Sequence, residues 1–323
     1  MPQKAPVVPI DKWLRRRMAE TRLTGVRIKL PPQNFRERIS SASAEDEYLL
    51  VGVRSASTIF NVLRSNGYDM GSFENILDFA CGCGRTLNFI RRYVAPEKLY
   101  GCDYDPELVA WCQRNLDVRE CVVNKASPPT PFPSSHFDFI YSIAFLAHLD
   151  ECTQKKWLSE WARILKNDGL ILLSLCGPKL AQCRKISIPS RGFIRVSSGP
   201  ELNNGTSYQT HEFIEREWSE LFKILDFQEL GLMNNHDLVL LSKRESSIRT
   251  KKLLPLSFPY ELVQEYEHRS DLKFVFDEQG LGRPNRGWQN LSLWDWALTN
   301  GGHDVSSLSH LRFSSVYNVV KSR

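Results

Sequence analysis

One stretch constrains this chain more than any other: Ile76-Leu77-Asp78-Phe79-Ala80-Cys81-Gly82-Cys83-Gly84-Arg85, followed by Leu99-Tyr100-Gly101-Cys102-Asp103. An apolar strand runs into a turn of small residues, and a second strand ends on a carboxylate. In a doubly wound sheet this pairing sets a nucleotide-like ligand over the carboxyl ends of the first two strands. Small residues let the backbone approach such a ligand closely, and Asp103 can accept from both hydroxyls of a ribose. A dinucleotide fingerprint needs a third glycine, where the helix touches the strand. Here Leu87 stands at that position, which counts against a nicotinamide or flavin ligand. A tight turn without a ligand is the other alternative.

The rest of the pattern alternates strands and helices, which predicts a parallel sheet. Residues 45–66 read as a lead-in helix with Leu49, Leu50, Val53, Ile59 and Leu63 on its apolar face. A first strand covers residues 76–79. The helix after the glycine turn carries Leu87, Phe89 and Ile90, with its N-terminal N–H groups expected to face the ligand. Asp105-Pro106-Glu107 is a helix start, an N-cap with proline at the first helical position, and the helix it opens buries Leu108, Trp111 and Cys112. Further strands are expected at 121–123, 137–142 and 170–175. Before the last of these, Trp157, Leu158, Trp161, Ile164 and Leu165 trace a helix face that Asn167-Asp168-Gly169 should stop. A helix over 212–222 then leads to strands at 224–230 and 237–242. They lie too close together for a parallel crossover, so the sheet should end antiparallel.

These motifs together resemble the class I S-adenosylmethionine (SAM) methyltransferases. Asp78 to Gly84 is similar to their motif I, with Ala80 where a glycine is usual and Asp103 as the acidic residue ending strand two. The likeness narrows to one bacterial group often found with glycan-modifying enzymes. It is carried by Gly101-Cys102-Asp103-Tyr104-Asp105-Pro106-Glu107-Leu108, Trp111-Cys112, Asn124, Phe137-Asp138-Phe139-Ile140-Tyr141-Ser142, Phe145, His148-Leu149, Trp157-Leu158 and Arg163-Ile164-Leu165-Lys166, over residues 30–243. Ala147 replaces the threonine usual before the histidine. The resemblance implies a Rossmann-like, seven-stranded, mostly parallel sheet with an antiparallel last strand. It also implies SAM as cofactor, with Asp78, Phe79, Ala80, Gly82, Gly84, Arg85, Asp103, Tyr104, Asn124 and Ser142 at the cofactor, and a glycan or small-molecule acceptor. Arg85 or Arg54 could add a contact to the SAM carboxylate, and Asn124 could bond the adenine edge.

Methyl transfer needs alignment of nucleophile and methyl, and a base where the nucleophile is a hydroxyl of high pKa. His148, six residues past the fourth strand, and His211, beside Tyr208, are the candidates; each also has a structural reading. His236, at the start of the last strand, reads as structural. Ser127-Pro128-Pro129-Thr130 is similar to the polar-Pro-Pro-aromatic motif of exocyclic-amine methylation. It lacks the aromatic and precedes the fourth strand, so a loop bordering the adenine pocket is the better account. Residues 177–210 form a long connection with Lys179, Arg184, Lys185, Arg191 and Arg195 against Glu201. That length marks a substrate loop or a solvated one, and closure over the acceptor would favour an anionic group.

The 323 residues carry a net charge of +5, which does not by itself demand nucleic acid. Residues 1–40 hold ten Lys or Arg against Asp11, Glu20 and Glu37. There Ile10, Trp13, Leu14 and Met18 recur at helical spacing, so residues 1–44 are expected to form a basic arm. It would pack on the domain, act as a lid or touch an anionic membrane surface. No run is apolar and long enough for a membrane span, and the expected location is the cytoplasm. All eight cysteines fall between Cys81 and Cys183, a pattern of buried thiols rather than a disulfide framework. Cys81-x-Cys83 lacks a second pair with zinc-like spacing, so no metal is expected.

Residues 245–323 match nothing in that resemblance. Trp288, Trp294 and Trp296 lie there after Gly280-Leu281-Gly282-Arg283-Pro284, as sugar-stacking faces or a small core, and Tyr317, Val319 and Val320 hint at a closing strand. Residues 45–244 would be the catalytic domain. The alternatives to hydroxyl methylation are a non-catalytic partner subunit of the same fold and a nucleic-acid methyltransferase, the latter predicting salt-dependent binding.

Overall fold

Short apolar runs bounded by glycine, proline and aspartate become the strands of this protein, and the apolar stripes between them become helices. The structure, a computed structural model, describes residues 28–39, 45–197 and 205–246. The strands are β1 (Ile76–Phe79), β2 (Leu99–Asp103), β3 (Glu120–Val123), β4 (Phe137–Ser142), β5 (Leu165–Leu175), β6 (Phe193–Ser197), β7 (Gly205–Gln209), β8 (Phe222–Leu232) and β9 (His236–Lys243). Seven of them form one sheet in the order β3-β2-β1-β4-β5-β9-β8, and β6 pairs with β7. The first five strands of the large sheet run parallel, while β9 is antiparallel to both β5 and β8. The antiparallel ending read from the short 230–237 connection is therefore present.

Period-two alternation sends residues to opposite faces of the sheet. In β1, Ile76 joins a core with Leu49, Ile59, Leu63 and Leu87, while Leu77 and Phe79 join Trp157, Trp161 and Ile214 on the other side. In β9, Leu238 and Leu240 take the first face and Val239 and Leu241 the second. The helices are α1 (Gln33–Ile39), α2 (Glu45–Ser65), α3 (Leu87–Ile90), α4 (Pro106–Asn115), α5 (Glu151–Ile164), α6 (Pro178–Cys183) and α7 (His211–Trp218). Asp105 caps α4 by accepting from Glu107 N and Leu108 N, with Pro106 at the first helical position, as its sequence predicts. Asp150 and Thr210 cap α5 and α7 in the same way. Helix α5 is anchored through Trp157 and Trp161, whose rings lie 4.9 and 5.2 Å from the Phe79 ring.

Three local expectations are corrected. The helix after the glycine turn is a single turn, α3, because Thr86 provides no side-chain cap and the chain continues in turns toward Pro96. So short a helix has no appreciable macrodipole to offer a ligand. Helix α5 ends at Ile164 rather than at Asn167-Asp168-Gly169. Leu165 already pairs with Phe137 of β4, and Lys166 Nζ reaches both Asp138 carboxylate oxygens at 2.9 Å, so tertiary pairing draws the chain into β5 early. The 177–210 connection, read as irregular, contains α6 and the β6–β7 pair, which is fixed to the sheet where Gln209 N donates to Cys176 O at 3.0 Å. The amphipathic stretch around Trp13, the tryptophan-bearing tail and the strand proposed near Tyr317 lie outside the described residues. No described helix is long and apolar enough to cross a membrane, and no described cluster of His, Cys, Asp and Glu could hold a metal ion.

Candidate functional site

The glycine turn, the end of β2 and the start of α4 form one hydrogen-bonded unit at the carboxyl end of the sheet. Asp103, buried at the end of β2, accepts from Gly82 N at 2.8 Å through Oδ2 and from Asp105 N at 3.0 Å through Oδ1. Burial raises its pKa and these N–H donors pull it back down. Asp78 is buried beneath the turn. Its Oδ2 has no hydrogen-bond partner, and desolvation lifts its pKa well above the usual carboxylate range. Asn124, just past β3, donates from Nδ2 to Lys125 O at 2.8 Å, while its Oδ1 is buried and unpartnered. Ser142, at the end of β4, donates to Phe79 O at 3.0 Å and so locks β4 to β1. The Phe79 ring is part of the core, so only its main chain faces this site. Tyr104 is the most exposed large apolar residue here, at 59 %. Arg85 follows the turn, half-buried.

Ala80 departs from its expected role. It fits as a replacement for glycine only if the position avoids positive φ, yet its φ is 60°. Gly82 and Gly84, at 55° and 71°, adopt the left-handed region that their side chains permit. Alanine there costs about 1 to 2 kcal/mol of local strain, stored in the turn and held by Cys81 N donating to Cys102 O at 2.9 Å.

A second layer covers the turn. Ile39, the last residue of α1, packs so closely on Gly82 that a Cβ there would meet its Cγ2 at 2.5 Å. The neighbouring Arg38 pairs with Asp105 at 3.0 Å and with Glu107. The end of the basic arm is thus a strap across the glycine turn.

Past β4 and β5 lies a polar group of different composition. His148 sits in the single turn 146–148, exposed to solvent but crowded on one side. That desolvation lowers its pKa, the backbone of Gly205 opposes it and Arg195 reinforces it, so the imidazole is neutral near pH 7. Arg195 Nη2 donates to His148 O at 3.2 Å. His211 stacks on Phe227 of β8, ring centroids 4.2 Å apart, with Nε2 3.7 Å from Glu215 Oε1. His236 is held well below its usual pKa, at about 4, by burial and by the charges of Arg184 and His148.

The carboxylate of Asp237, the second residue of β9, was not singled out by the sequence. It is wholly buried opposite Leu175, where β5 ends. Oδ1 accepts from Leu230 N at 2.8 Å, Oδ2 is unpartnered, and burial lifts the pKa to about 6. An unfolded aspartate titrates near about 3.9. Between these values the folded protein keeps a proton that the unfolded chain has lost, so stability falls as pH rises through that window. Asp237→Asn is expected to remove this part of the decline, about 2 kcal/mol. Urea unfolding of parent and variant near pH 4 and near pH 7 measures it; equal pH dependence would contradict it.

The model of the methyltransferase domain family matches residues 77–173, from β1 through most of β5. Over residues 77–173 the chain is thus similar to a methyltransferase domain. Among solved structures, one of a Pyrococcus horikoshii OT3 protein is 18 % identical, covers 58 % of this chain and 89 % of its own, and has a TM-score of 0.46. The glycopeptide N-methyltransferase MtfA complexed with SAM is 16 % identical, covering 59 % and 94 % with a TM-score of 0.44. A SAM-dependent methyltransferase from Methanosarcina mazei is 22 % identical, covering 53 % and 93 % with a TM-score of 0.40. No curated protein matches the chain.

The residues of the methyltransferase domain fit SAM chemically. Asp78 Oδ2 and Asn124 Oδ1 are buried acceptors without donors, suited to the amino groups of a cationic ligand. Asp103 has lone pairs left after its two N–H contacts, enough for a ribose diol. The acidic lining suits a sulfonium. The residues that sequence reasoning missed, Asp237 and the strap residue Ile39, depend on long-range packing and leave no local motif.

Proposed function

We propose that this chain transfers the methyl group of SAM to a hydroxyl of a small molecule or glycan. The observation that supports this reading most directly is the neutral, solvent-reachable imidazole of His148 at the rim beyond β4, one strand from the glycine turn. Asp78, Ala80, Gly82, Gly84, Arg85, Asp103, Tyr104 and Asn124 would hold the cofactor, with Phe79 and Ser142 fixing the strand ends beneath it. Bound SAM supplies an electrophilic methyl carbon on a sulfonium. The acceptor oxygen would form the new O–C bond as the C–S bond breaks with its electrons left on sulfur, and His148 would take the hydroxyl proton. A neutral base is needed for a hydroxyl and much less for an amine or thiol, and on this ground oxygen is the preferred atom. The Ser142 hydroxyl is committed to Phe79 O, and the His211 ring lies against Phe227 of β8, so His148 is the preferred base.

Calorimetric titration with SAM and with S-adenosylhomocysteine, with NADH as control, tests the first half. Micromolar binding of the adenosyl ligands alone is the expected result. Methyl transfer to a panel of hydroxyl, amine and thiol acceptors tests the second. Turnover of amines with His148→Ala as active as the parent would refute the hydroxyl reading.

A further inference from the structure

The carboxyl ends of β4 and β5 are roofed by three pieces of chain: the turn 146–148, helix α6 and the β6–β7 pair. Tyr208 of β7 bridges to Cys176, the residue after β5, so this roof is fixed to the sheet. Ser207 Oγ donates to Leu149 O and ties the same strand to the segment after β4. Under the roof, Ala147, Cys176, Leu180, Ala181 and Tyr208 make a small apolar core of their own.

Five cations on this segment could meet an anion, and the structure separates them. Lys179 pairs with Glu229 at 2.7 Å and Arg191 with Glu151 at 2.8 Å, so both are spent on carboxylates. Arg195 reaches the His148 carbonyl. Lys185 is exposed beyond the end of α6. Arg184, at the C-cap of α6, is different. Its Nη1 donates to the Tyr208 hydroxyl at 2.8 Å, it is half-buried, and among the described residues no carboxylate stands within ion-pair distance of it. Its charge is felt instead by His236, which also feels His148. A half-buried guanidinium that donates to a buried phenol, has no carboxylate partner among the described residues and lowers the pKa of His236 by its charge retains N–H groups for an anion.

We infer that Arg184, positioned by the buried Tyr208 hydroxyl, is the acceptor-recognition residue beyond β4 and β5 and binds an anionic group, a carboxylate or a phosphate, on the molecule to be methylated. The inference rests on the proposed function, since it takes the rim beyond β4 and β5 as the acceptor side. The guanidinium presents its remaining N–H groups in a fork that matches two oxygens of such an anion. The same anion would favour the protonated form of His236, which the charge of Arg184 disfavours.

The test uses the full chain loaded with S-adenosylhomocysteine, with inorganic phosphate and acetate as probes and chloride at matched ionic strength as control. Imidazole signals of His236 are followed by NMR across pH. Saturable binding of one probe, with upward movement of the His236 pKa, is the expected result, and the preferred probe names the source of the anion. Arg184→Gln should weaken that probe about tenfold or more and abolish the histidine response, and Arg184→Lys should restore part of it. Unaltered affinity for S-adenosylhomocysteine in both variants shows that the fold survives. A His236 signal that responds no more to phosphate or acetate than to chloride would overturn the inference. Loss of S-adenosylhomocysteine binding by the unsubstituted protein would instead bring down the underlying reading, so the two failures are distinguishable.

Discussion

Asp103→Ala is expected to weaken SAM binding about a hundredfold or more. Two effects add. The ribose hydroxyls lose a charged acceptor, and each hydrogen bond to a charged group is worth about 1.5 to 3 kcal/mol. Gly82 N and Asp105 N also lose the carboxylate that holds them at 2.8 and 3.0 Å, so the glycine turn and the start of α4 come apart from β2. Asp103→Asn separates these effects, since its carbonyl oxygen can still accept one N–H while the charge is gone. It should bind SAM more tightly than the alanine variant and less tightly than the parent. Calorimetry on all three proteins, with urea unfolding to confirm folding, measures the series. Unchanged SAM affinity in the alanine variant would remove Asp103 from the site.

Gly177→Ala is expected to destabilise the fold by about 3 kcal/mol or more, the upper end of the cost of overpacking a tight interior. Gly177 follows the end of β5 and precedes Pro178 of α6. A Cβ built there would land within the Asp237 carboxylate, which cannot simply move because Oδ1 holds Leu230 N at 2.8 Å. Leu230 itself has a φ of 52°, so its backbone relies on that bond. The double variant Gly177→Ala with Asp237→Ala should recover part of the loss, because the atom that clashes has been removed. A strongly non-additive cycle is the signature of contact between the two positions. Additive losses in denaturant unfolding would show that the glycine is required for another reason.

The sequence is legible where the physics is local. The tight turn after β1, the Asp105 cap with Pro106 and the strand over 237–242 depend on neighbours a few residues away, and the structure contains each of them. The parallel-then-antiparallel sheet follows from the spacing of its runs. Legibility fails where a distant partner decides. Lys166 and Leu165 read as helix because Asp138 and Phe137 cannot be seen across the chain. Ala80 is innocuous as a residue type and strained only in its observed backbone. The roof over β4 and β5 reads as a loop because its strands pair only with each other and with a single residue of the sheet. Arg184 appears in sequence as one of five cations; only geometry shows that Lys179 and Arg191 are already neutralised and Arg184 is not.

The position of β9 bears on how the chain is made. Among the described residues it is the last strand of the large sheet to leave the ribosome, yet it lies between β5 and β8. Among those residues strand β8 pairs with no other strand of that sheet, so it cannot pair until β9 has been synthesised. Until then β5 presents an unpaired edge of uninterrupted apolar residues, Leu170, Ile171, Leu172 and Leu173, of the kind that invites pairing with other chains. At synthesis rates of about 5–20 residues per second, that edge stays open for seconds. The nascent protein is therefore expected to pass through a vulnerable interval that ends when β9 pairs with β5. Slowed translation over residues 176–243 would lengthen that interval and lower the yield of soluble protein without altering a single contact in the finished fold.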